Sequence, residues 1–160
     1  MKKYFFLAVQ LVGFVSCKSH FVTPGNYTND TATVLAIAIK SALEKNDLPG
    51  ANELARALPK DSILFTTDIL PLKQLPPYVD TFRFKVLSKN DICSQMSDSN
   101  VPPPRHYLYL KELRKNALGY DVYLESLTCG ESDGGIIALF IHHKKDSFYI
   151  KEKVVALINQ

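Results

Sequence analysis

The chain has 160 residues, 19 of them basic and 16 acidic, for a formal net charge of +3. That length makes one ordinary domain, large enough to bury a core of its own. The charges are scattered, with no run of five or more of one sign, so the electrostatic footprint of a nucleic-acid binder is absent.

The chain begins Met1-Lys2-Lys3, continues through an apolar run from Tyr4 to Val15, and reaches Ser16-Cys17. A basic start, a short apolar stretch and a small residue make a secretory signal peptide. A membrane-spanning helix needs about 20 apolar residues, so this run is too short to be a lasting anchor. Phe14-Val15-Ser16-Cys17 resembles the lipobox of bacterial lipoproteins, with Phe14 standing where that family prefers an aliphatic residue. The resemblance implies a leader over 1–16, cleavage before Cys17, acylation of its thiol and attachment to the membrane through lipid. Lys18 stands where an aspartate holds some lipoproteins in the inner membrane, which points to the outer membrane facing the periplasm. The alternative is an ordinary signal peptide cut near Ser16 or Cys17, leaving a free thiol. Removing Lys2 and Lys3 with the leader lowers the charge excess from three to one.

Residues 17–30 hold Pro24, Gly25, Asn26 and Asn29 with little periodicity and are expected to form a flexible tether. A single domain then follows over 31–160. Asp30 is a good N-cap, and Leu35, Ile39, Ala42 and Leu43 recur at helical spacing, predicting a helix over 31–46. Pro49-Gly50 breaks it. A second short helix is expected over 51–58, between that break and Pro59. The period then changes to two. Ser62–Thr66 predicts a short strand, 68–80 an irregular crossing with Pro71, Pro76 and Pro77, and Thr81–Leu87 a half-buried strand. Ser88 to Asp91 resembles a capping box that opens a short helix through Met96. After a proline-rich loop, four strands follow as hairpins: His106–Arg114 with Tyr120–Leu127, and Ile136–His143 with Phe148–Ile158. If Lys144 pairs with Ser147, one face of the second hairpin collects Ile137, Leu139, Ile141, Phe148, Ile150 and Val154. The other collects His142, Tyr149, Lys151 and Lys153.

One apolar and one mixed face fit an α+β fold with N-terminal helices packed on a curved antiparallel sheet. This order is similar to the cystatin-like or NTF2-like architecture. Phe82–Ser88, Tyr107–Leu110, Tyr120–Leu124 and Gly134-Gly135 also resemble segments of small α+β lipoproteins of Gram-negative bacteria. That resemblance carries no assigned chemistry.

Candidate sites are few. Cys93 and Cys129 can pair in an oxidising compartment or stand as two separate thiols. His142 and His143 are strand neighbours, so they point to opposite faces and cannot chelate one metal together without a bulge. No catalytic, metal or cofactor-binding set is legible. Tyr107, Tyr109 and Tyr123 share one predicted hairpin with Tyr120 and are the candidate ligand-facing residues, amphipathic aromatics being at home both in binding sites and at core rims. The reading is therefore a noncatalytic binding or accessory module with an unknown protein or small-ligand partner and no nucleic acid. A small enzyme or ligand carrier with a pocket between helix and sheet is the alternative.

Overall fold

The computed structural model describes residues 20–21, 28–44, 47–48, 50, 54, 62–97, 106–129 and 134–158. The expected helix over 51–58 therefore lies outside the described residues, apart from the buried Leu54.

Helix α1 spans Asn29–Glu44. Its stripe of Val34, Leu35, Ala38, Ile39, Ala42 and Leu43 is buried, as the 3.6-residue period requires. The cap is Thr28 rather than Asp30: the Thr31 amide donates to Thr28 Oγ1 at 3.4 Å. Asp30 instead sits in the first turn, where its charge suits the helix dipole.

The strands are β1 (His20–Phe21), β2 (Ile63–Thr67), β3 (Tyr78–Val79), β4 (Phe82–Val86), β5 (Tyr107–Lys115), β6 (Gly119–Leu127), β7 (Gly134–Lys144) and β8 (Ser147–Ile158), with helix α2 (Lys89–Ser97) between β4 and β5. They form a curled sheet in the order β3-β4-β2-β5-β6-β7-β8, and β1 pairs antiparallel with the far end of β5 through His20↔Lys115. The fold is α+β, but the sheet is mixed rather than antiparallel. Strand β2 runs parallel to both neighbours, with Ile63 opposite Phe84 and Phe65 opposite Leu108. Two returning connections are the reason: the irregular crossing over 68–81 brings β4 in beside β2 in the same direction, and α2 returns the chain to the end where β4 began. Strand β5 then enters in the same direction as β4, on the other side of β2.

Alternation along β2 builds two cores. Ile63 and Phe65 face α1 in the main core, where the Phe65 and Phe84 rings lie 5.3 Å apart. Leu64 faces the other way, into a satellite core with Ile92 of α2 and Tyr107 of β5. The two helices thus cover opposite faces of the sheet. All five residues of β2 are buried, as expected of a strand covered on both sides. Ser88 caps α2, with the Asp91 amide donating to Ser88 Oγ at 3.1 Å and that hydroxyl donating in turn to Asp91 Oδ2 at 2.6 Å.

Strands β5 to β8 are the expected antiparallel meander, and Lys144 does pair with Ser147. The expected faces of β8 hold only for its first half. Ile141 pairs with Ile150 but Phe140 pairs with Glu152, so Lys151 is a β-bulge. One extra residue reverses the alternation beyond it. Lys153, expected beside His142 and Tyr149, turns to the α1 side and forms an ion pair with Asp47. Val154, expected on the core face, turns outward and is 47% exposed.

Candidate functional site

The face of the sheet away from α1 carries the three tyrosines. Tyr107 is 1% exposed, packed against Leu64 and Ile92. Burial raises its phenol, and the charges of Asp68 and Glu125 add to the shift. Tyr109, two residues on, is half-buried and donates to Asp68 Oδ2 at 2.9 Å. Burial, then that hydrogen bond and the Asp68 charge, push its phenol up to about 12. Tyr123 meets Phe140 edge to face, ring centroids 6.5 Å apart. Between them lies Glu125, its side chain only 6% exposed, which accepts from Lys111 Nζ. Lys111 is itself a bulge residue: Leu110 pairs with Leu124, yet Glu112 pairs with Tyr123. Thr66 stands opposite Tyr109 in the ladder with its hydroxyl buried and without a hydrogen-bond partner among the described residues.

Further along this face, Glu112 pairs with Arg114. Asn116 Nδ2 donates to Asp121 Oδ1 at 2.7 Å. Burial raises the Asp121 carboxyl against the opposing pull of Arg114. His142 sits edge-on to Tyr149 here, while His143 lies against Phe148 on the other side. The two histidines point apart, as strand geometry requires. No group of three or more His, Cys, Asp or Glu residues able to hold a metal occurs among the described residues.

Helix α2 is fixed on this face by a disulfide between Cys93 and Cys129, with Cα atoms 5.5 Å apart. Of the two alternatives open to those cysteines, the structure shows the bond.

A cavity of about 200 Å³ opens at the other end of the sheet, where the β5–β6 turn, the β7–β8 hairpin and the N-terminal end of α1 meet. Asp30, Lys115, Tyr120, His143 and Phe148 line it. Lys115 Nζ stands 5.6 Å from the centre of the Tyr120 ring, and Tyr120 meets Phe148 edge to face at 5.9 Å. The β5–β6 turn is shaped by Asn116, whose Oδ1 accepts from the amides of Leu118 and Gly119. Gly119 has φ +156°, and a Cβ there would lie 2.0 Å from the Ile141 carbonyl oxygen. Only glycine lets β6 start so close to β7. An ammonium, an imidazole and a carboxylate around two aromatic rings suit a small polar molecule. Tyr107, Tyr109 and Tyr123 do not line this cavity. The residues around this turn come from three separate parts of the chain.

Against known proteins, the chain matches no family model, no curated protein and no solved structure.

Proposed function

We propose that this chain is an exported cell-envelope lipoprotein, acylated at Cys17 and held on the outer membrane facing the periplasm, whose folded part is a noncatalytic binding or accessory module. The Cys93–Cys129 disulfide is the observation that carries the reading, because such bonds persist in exported proteins and are rare where thiols are kept reduced. The basic and apolar leader over 1–16 supports it from the sequence side. A long helix packed on a curled sheet is also compatible with a cystatin-like or NTF2-like module. His20 lies three residues beyond Cys17 in the sequence and pairs with Lys115 of β5.

The test is fractionation together with mass spectrometry of the N-terminus. Wild type is expected in membranes with an acylated Cys17, and Cys17→Ala in the soluble fraction, since stable attachment takes two or more chains. A soluble wild type with an unmodified N-terminus ends the lipoprotein reading.

The cavity beside Lys115 supports a second reading, a carrier of a small polar molecule. Native mass spectrometry of protein from its own host should then show a bound small molecule that Lys115→Ala loses. Identical spectra for the two proteins count against it.

A further inference from the structure

The two ends of the sheet are built differently. Strand β3 closes one end with two residues, preceded by Pro76-Pro77 and followed by Asp80 in the left-handed region at φ 54°. A short edge flanked by prolines gives an incoming strand little to pair with. Strand β8 closes the other end over Ser147–Ile158 and has no partner on its outer side among the described residues. Its second half, Val154-Val155-Ala156-Leu157-Ile158, has no charge, no proline and no glycine. The Lys151 bulge turns Val154 and Ala156 to one face, leaving Val155 and Leu157 on the other. Apolar side chains are thus exposed on both faces: Val154 at 47%, Val155 at 43% and Leu157 at 68%.

We infer that the outer edge of β8 is a self-association surface that pairs antiparallel with β8 of a second copy, joining two sheets into one. The unpaired amides and carbonyls of an edge call for a β-strand. The side chains call for one that is apolar on both faces and uncharged over about five residues, and β8 itself meets that description. The charges select the register. A two-fold centred on Glu152 would set Lys151 against Lys153 and Glu152 against Glu152, and one centred on Lys153 would oppose two lysines. Like charges directly opposite are destabilising. Centring within Val154–Ala156 opposes only apolar residues at the middle and keeps the lysines of the two copies apart. The bulge at Lys151 ends the shared ladder on its N-terminal side. So short a contact belongs to the small interface class, below about 1,200 Å², and gives a reversible dimer.

This surface lies on the folded domain and does not rest on the lipoprotein reading, so the test uses the Cys17→Ala chain, which carries no acyl group. Sedimentation equilibrium should show a concentration-dependent exchange between one and two chain masses. Val155→Lys, an exposed substitution, should weaken dimerisation by at least about tenfold with an unchanged melting temperature. Cysteine placed by Val155→Cys should cross-link two chains faster than cysteine placed by Ser147→Cys at the hairpin. This comparison stands even if the lysine variant fails to fold. A monomer at every soluble concentration, a dimer indifferent to Val155→Lys, equal cross-linking at both sites, or a second polypeptide on this edge each overturn the assignment.

Discussion

Tyr109 and Asp68 sit side by side on the face away from α1, and their contact is a clear case of surroundings setting chemistry. The phenol is half-buried, donates to a carboxylate at 2.9 Å and is pushed from its ordinary value near 10 up to about 12. In the unfolded chain it ionises near its ordinary value, so the folded state holds this proton more tightly. The stabilisation is complete below pH 10 and is lost as pH rises toward about 12. The stability of wild type relative to Tyr109→Phe should therefore fall across that window in urea titrations. Asp68→Asn should bring the phenol's absorbance titration to lower pH, because the carboxylate both accepts the proton's hydrogen bond and repels the phenolate. A midpoint unmoved by Asp68→Asn would leave burial and the charge of Glu125 as the causes. The sequence shows both residues but not their contact, since 41 positions separate them. The partnership exists only because β2 leads into Asp68 beside β5.

Single residues also decide the faces of whole elements. Period-two reading works along β8 until Lys151, where one inserted residue reverses inside and outside. Nothing in the run Lys151-Glu152-Lys153-Val154 marks a bulge, so Val154 reads as core and Lys153 as surface. The structure sets Lys153 against Asp47 and leaves Val154 in solvent. Helix α2 depends on a different device. Among the described residues, its buried contact is Ile92 against Leu64 and Tyr107, and the bond to Cys129 holds it across a separation of 36 residues. A loop of that size corresponds to roughly 3–4 kcal/mol in the chain-entropy model. Replacing both cysteines with serine should lower unfolding free energy by about that amount. Hydrogen exchange should then quicken in α2 well before β6 and β7. Loss of protection spread evenly over the sheet would show that the bond secures the whole fold rather than this helix.

At the scale of the molecule, what the sequence made legible follows the distance between partners. The meander from β5 to β8 pairs neighbours through short turns, and its strands could be read from alternation and turn residues. Helix α1 could be read from one stripe. The parallel placement of β2 could not, because its partners β4 and β5 lie up to 43 residues on, one of them across a helical crossover. The same limit applies to the candidate sites. Three tyrosines on one hairpin were visible, but not that α2 would cover Tyr107 while leaving Tyr109 and Tyr123 half-exposed. The cavity gathers Asp30, Lys115 and Phe148 from the beginning, middle and end of the chain, and no local pattern announces such a meeting.

The wedged position of β2 has a temporal consequence as well. Synthesis runs from the N-terminus, so α1 and β2 leave the ribosome before most of the surfaces that cover them. The apolar stripe of α1 lies on β6, β7 and β8 as well as β3, and β2 needs β5 on one side. A nascent chain ending before Gly119 has neither the β5–β6 hairpin nor anything beyond it. Its helix has most of its floor still to be made. Hairpins built from neighbouring segments close fast and distant pairings close slowly. The last third of the polypeptide therefore governs when the first third can settle.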